Sequence, residues 1–123
     1  MKQLLTIIIL AVTLTGCAVV QKIQDVWPKA HDPVMVQYWV DVKVALDRVD
    51  CEAKPTGWAG VVEPARKLAI YTDFRADPQR TNIKGLALHA DKMSQGGSTM
   101  FCKLGIQTAN DRLNIARKAW EGR

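Results

Sequence analysis

The first long apolar stretch of the chain, from Val34 to Val49, carries two periods at once. Val34, Val36, Tyr38, Val40, Val42 and Val44 alternate as a strand does, while Met35, Tyr38, Trp39, Val42, Ala45, Leu46 and Val49 complete a helical face. Three features decide for the helix. The helical pattern runs on to Val49, whereas the alternation stops at Arg48. Asp32-Pro33 supplies an N-cap followed by proline at the first helical position. No other segment alternates comparably, so a strand here has no partner. The pattern therefore predicts a helix over 33–52. Val36, Val40, Val44 and Cys51 form a second apolar row, which predicts a helix packed on two sides.

Turn residues Lys54-Pro55-Thr56-Gly57 follow. Proline lacks an N–H and crowds the preceding turn, so Glu63-Pro64 predicts the start of a second helix over 63–76, with 58–62 as a lead-in turn. Its expected buried side is Leu68, Ile70, Tyr71 and Phe74. After the Asp77-Pro78 break, Thr81 or Asn82 caps a third helix over 82–94, with Ile83, Leu86, Ala87, Ala90 and Met93 on one face. Residues 94–99 read as a loop ending in a capping Ser or Thr. A fourth helix over 99–120 carries a seam of Cys102, Ile106, Ala109, Leu113, Ala116 and Trp120. Four helices joined by short connections predict an all-α fold, a small up-down four-helix bundle.

The N-terminus has another character. Met1-Lys2-Gln3 is a short basic start, and Leu4 to Leu14 is an apolar run interrupted only by Thr6 and Thr13. That run is shorter than the ~20 residues a membrane-crossing helix needs, and it has the build of a secretory signal. It ends in Leu14-Thr15-Gly16-Cys17, which resembles the lipobox of bacterial or phage-encoded lipoproteins. The resemblance covers residues 1–17 and implies cleavage after Gly16, with covalent lipid on Cys17 as the only attached group. Ala18, rather than Asp, follows the Cys, and in such proteins this implies the inner leaflet of the outer membrane. The chain then divides into a signal peptide (1–16), a lipidated tether (17–32) and a helical domain (33–123).

If Cys17 carries lipid, Cys51 and Cys102 remain, in a compartment that permits disulfides. Cys51 ends the first predicted helix and Cys102 begins the fourth. An up-down topology brings those two ends together, so compartment and fold imply the same bridge.

Composition changes the picture little. The 123 residues are 48% hydrophobic and 24% charged, with a net charge of +5, enough for one ordinary domain. No run of four basic residues occurs, so no nucleic-acid partner is expected. Candidate chemistry is sparse. His31 lies in the tether, His89 flanks the third helix, the acids are scattered, and no metal-ligand spacing occurs. Gly96-Gly97 precedes a helix N-terminus, where an anion can bind, but no P-loop Lys follows. No enzyme, cofactor, metal or small-molecule substrate is expected. Arg112, Arg117, Lys118 and Arg123, with Arg66 and Lys67, offer a positive side for an acidic partner or anionic lipid. Trp58 and Tyr38 are either core residues or anchors for a protein contact.

The expected role is a non-catalytic binding module, held by lipid on the periplasmic face of the outer membrane, with another outer-membrane or periplasmic protein as partner. In size, anchor and architecture it is similar to helical secretin pilotins and to phage lipoproteins that block an outer-membrane receptor. The alternative is a structural component of a phage lysis (spanin) or other envelope-spanning complex.

Overall fold

A computed structural model describes residues 32–53 and 57–122. The signal sequence, the lipobox with Cys17, the tether up to residue 31, the turn residues 54–56 and Arg123 lie outside the described residues. The domain consists of α1 (Pro33–Asp47), α2 (Ala59–Phe74), α3 (Arg80–Ser94) and α4 (Thr99–Glu121), with no strand among the described residues. Helices consecutive in sequence pack side by side, and α1 and α4 close the ring. The diagonal pairs, α1 with α3 and α2 with α4, do not approach one another. Four links fix the antiparallel arrangement. Cys51 bonds to Cys102 and Glu52 pairs with Lys103 at one end, while Asp32 meets Tyr71 and Asp77 meets Trp120 at the other. The fold is thus a small all-α, disulfide-stapled bundle.

α1 begins as expected. The Asp32 carboxylate accepts from the amides of Val34 (3.0 Å) and Met35 (3.3 Å), and Pro33 takes the position where an N–H is not needed. It ends five residues earlier than the apolar pattern indicates. Asp50 Oδ1 accepts from the amides of Glu52 (2.9 Å) and Ala53 (3.1 Å), a local turn that competes with the helix and swings Cys51 toward Cys102. The expected face of Met35, Tyr38, Trp39, Val42, Ala45, Leu46 and Val49 is turned inward. The second row is packed only in part: Cys51 is buried and Val36 half-buried, but Val40 and Val44 are 37% and 41% exposed, because no helix lies on that side of α1.

α2 starts at Ala59, not at Pro64, and passes through the proline. Trp58 and Val61, both fully buried, hold the first turn on the core, and the Val61 amide bonds to the Trp58 carbonyl (2.9 Å). Only the single bond that an amide at position 64 would make is forgone. The buried stripe is Val61, Ala65, Leu68 and Thr72. Ile70 and Phe74, expected inside, face solvent. Small residues at 65 and 72 let α2 approach both neighbours, and that stripe lies rotated from the more hydrophobic one.

α3 begins at Arg80, two residues before the expected start at 82. Asp77 Oδ1 accepts from the Gln79 amide (2.7 Å) and leaves Thr81 and Asn82 inside the helix. Its predicted face, Ile83, Leu86, Ala87, Ala90 and Met93, is buried in full. Ser98 caps α4 by accepting from the Phe101 amide (3.2 Å). Along α4 the buried seam is Cys102, Gly105, Ala109, Leu113, Ala116 and Trp120, with Ile106 displaced to its edge. Gly105 is there because Trp58 and Met93 occupy the space: a Cβ would lie 2.9 Å from Met93 Sδ and 3.1 Å from Trp58 Cζ2. The core leucines Leu46, Leu68, Leu86 and Leu113 are almost wholly buried. Truncating one such residue to Ala typically costs about 2–5 kcal/mol.

Candidate functional site

Around this ring the α1–α4 closure is the loosest. Trp39 bridges it, its indole N–H donating to the Leu113 carbonyl across 3.1 Å. Beside that bridge a groove of about 260 Å³ is lined by Val36, Trp39, Val40, Arg117, Trp120 and Glu121. Its floor is apolar, and at its rim Arg117 and Glu121 pair with each other at 3.1 Å. Trp120 is fixed from below, its indole N–H donating to the buried Asp77 carboxylate (3.2 Å). Both indoles therefore have their polar atoms satisfied inside the domain and show apolar surface to the groove. The groove thus combines rigid aromatic walls with charge only at its edge. Val40, read as core, is part of that surface.

The residues singled out from sequence do not come together here, except Arg117. Trp58 is fully buried and belongs to the core; His89 stands edge-on to it at 5.6 Å and donates from Nε2 to the Gly105 carbonyl (3.0 Å). His89 is thus a structural link between α3 and α4. Arg112 is half-buried and lies over Gly85, bonded to the Asn82 side-chain oxygen (3.3 Å), while Asn82 Nδ2 donates back to the Arg112 carbonyl (2.9 Å). This reciprocal pair joins α3 to α4 and takes Arg112 out of any surface patch. Gly96 has φ +94°, a left-handed conformation suited to glycine, and Gly97 is crowded by the Phe101 ring, so both serve the turn into α4. That turn lies at the disulfide end of the bundle, and the groove reaches toward the other.

The expected positive side does not form as one face. Arg66 and Lys67 are on α2, diagonal to Arg117 and Lys118 on α4. Arg66 pairs with Asp91 (2.7 Å), Lys67 with Glu63 (3.0 Å) and Arg117 with Glu121. The Glu63 carboxylate beside Lys67 holds its ammonium above the ordinary value. Tyr38 is half-buried and packs edge-on against Tyr71, ring centres 5.4 Å apart. Cys51 and Cys102 form the expected disulfide, Cα atoms 5.7 Å apart. Cys17 lies outside the described residues.

Electrostatic specialisation is concentrated at Asp32, which accepts from the Tyr71 hydroxyl (2.8 Å) and from its two amides, and forms an ion pair with Arg75 (3.4 Å to Nε). Burial opposes the charge of its carboxylate. The Tyr71 hydroxyl, the amides and Arg75 outweigh that and hold it below the usual carboxylate value. The same bond, reinforced by burial, pushes the Tyr71 phenol above its ordinary value. With every donor accounted for by helix capping and packing, this cluster is structural.

Among the described residues no three His, Cys, Asp or Glu side chains are grouped as metal ligands, and no helix is long and apolar enough to cross a membrane. The class defined by the fold is a small stapled helical bundle, with an apolar groove between its least tightly joined helices. Comparison with family models, curated proteins and solved structures returned no match to this chain.

Proposed function

We propose that this protein is a lipid-anchored module of the periplasmic face of the outer membrane, which binds another envelope protein and carries out no catalysis itself. The observation that carries the reading is the uncovered half of α1. It is apolar on two sides, packed on one, and open on the other beside Trp39 and Trp120. An apolar row that the domain itself leaves open, between two immobilised indoles, suits an apolar ridge of a partner helix. The Leu14-Thr15-Gly16-Cys17 motif supplies the location. Anchoring confines the domain to a thin layer, where even a modest contact gains effective concentration.

The test has two arms. In the first, cells expressing the protein are labelled with palmitate: the parent takes up label and Cys17→Ser does not. Label on the Cys17→Ser protein refutes the anchor. In the second, crosslinking in intact cells compares the parent with Val36→Asp/Val40→Asp. An envelope protein captured by the parent and lost in the variant, whose circular dichroism is unchanged, supports the groove. An identical capture pattern for both refutes it.

A further inference from the structure

The α2–α3 edge, opposite the groove across the ring, has a different surface. Ile70 and Phe74, one turn apart on α2, are 70% and 84% exposed, and Leu88 stands out on α3. Beside Ile70 a cleft of about 340 Å³ is lined by Ala69, Asp73, Arg80, Thr81 and Lys84. Arg80 and Lys84, one turn apart on α3, form no ion pair among the described residues. Exposed Ile70 beside two cations, with Phe74 one turn further along α2, is a composition that settles at a bilayer interface. The apolar groups enter the acyl boundary while the cations take headgroup phosphates.

Charge is distributed to favour this orientation. Residues 32–53 hold five acidic and two basic side chains, 57–79 three of each, 80–95 three basic and one acidic, and 96–122 four basic and two acidic. An anionic surface therefore repels α1 and attracts α3 and α4; on α4 Lys103 and Arg117 are paired with Glu52 and Glu121, whereas Arg80 and Lys84 on α3 have no ion pair among the described residues. The chain enters the domain at the matching end, since Asp32 is bonded to Tyr71 and Arg75 in the last turn of α2 and its cap, beside Phe74.

We infer that the α2–α3 edge is a contact surface for anionic phospholipid, with Ile70 and Phe74 entering the acyl boundary and Arg80 and Lys84 binding headgroup phosphates. This rests on the membrane attachment proposed above, and it turns the α1–α4 groove away from the bilayer toward a periplasmic partner.

The experiment places a p-benzoylphenylalanine photocrosslinker at Phe74, at Ile70 or, as control, at Val40 in the full chain. Each protein is mixed with phosphatidylethanolamine vesicles containing roughly one-quarter phosphatidylglycerol, irradiated and analysed by mass spectrometry. Phospholipid adducts at positions 70 and 74 are expected to exceed those at position 40 by about tenfold, and Arg80→Glu/Lys84→Glu should remove most of the excess. Equal yields at 74 and 40 overturn the inference, as does an excess that charge reversal leaves intact. So does irradiation in intact cells that yields protein adducts rather than phospholipid at 74. The mass of the Cys17 peptide separates the two proposals. Lipid on Cys17 with equal yields at 74 and 40 leaves the anchor standing and removes this surface. An unmodified Cys17 with phospholipid adducts at 74 does the reverse.

Discussion

The Tyr71 hydroxyl donates to Asp32 Oδ2 across 2.8 Å, tying the last turn of α2 to the residue that caps α1. One carboxylate thereby serves two amides, a phenol and a guanidinium. The bond gives each partner a reason to keep its neutral-pH form, and stability inherits both edges. The folded Asp32 value is depressed below the ordinary 3.8, so its contribution is complete above that value and lost as pH falls through the folded one. Tyr71 is raised above 10.0, so its contribution is complete below 10.0 and lost as pH rises through the raised value. Urea unfolding of the parent and Asp32→Asn should differ by about 1–3 kcal/mol at neutral pH, and that gap should close at low pH. A gap that stays constant down to pH ~2, well below the ordinary Asp range, would show that Asp32 acts by shape alone.

Ala76 offers a change in the opposite direction. It ends α2 with φ +47°, its amide bonded to the Asp73 carbonyl and that of Asp77 to the Thr72 carbonyl, the bonding of a left-handed helix stop. A side chain in this conformation is strained, and glycine is not. Ala76→Gly is expected to stabilise the domain by up to about 1 kcal/mol, despite the greater freedom it gives the unfolded chain. A lower thermal midpoint for the variant contradicts this account of the turn.

Gly105 sets the distance between α4 and the Trp58–Met93 pair. The flexible end of Met93 can move, but Trp58 is enclosed on all sides, so Gly105→Ala should cost about 1–3 kcal/mol despite its better helix propensity. Met93→Ala in the same chain should recover part of the loss by making room. A double mutant no more stable than the sum of its single mutants locates the crowding elsewhere.

The features readable from sequence, and those that were not, follow from what each signal measures. Helical period identifies faces, and on α3 the only apolar face is the buried one. On α1 and α2 there are two candidate stripes, and neighbours choose between them. Ala65 and Thr72 outrank Ile70 and Phe74 for the inside because they permit close approach, which hydropathy does not register. Pro64 reads as a start signal, yet Trp58 and Val61 anchor the turn before it strongly enough to begin the helix earlier and carry it through. The disulfide was legible because topology and compartment are independent constraints on the same pair. The groove was not, since it depends on how loosely α1 meets α4, a distance no periodicity encodes. Arg112 looked like surface charge until Asn82 and Gly85, thirty and twenty-seven positions away, were placed against it.

The disulfide and the groove occupy different parts of the α1–α4 seam, and that separation can be tested. Cys51 and Cys102 close a loop of sequence separation 51 at the end where α4 begins. Trp120 and Val36 lie toward the end where α4 finishes. On the chain-entropy model the bridge is worth about 4 kcal/mol, and Cys51→Ala/Cys102→Ala is expected to lose about 2–4 kcal/mol, matching the loss under reductant. Because Trp39 holds α1 to Leu113 independently of the bridge, the groove should persist below the lowered unfolding transition. The partner retained by the parent should therefore also be retained by the double mutant at low temperature, and lost by Val36→Asp/Val40→Asp with the bridge intact. If instead the stably folded double mutant releases the partner, the contact lies at the Gly96-Gly97 end and the groove is not its site.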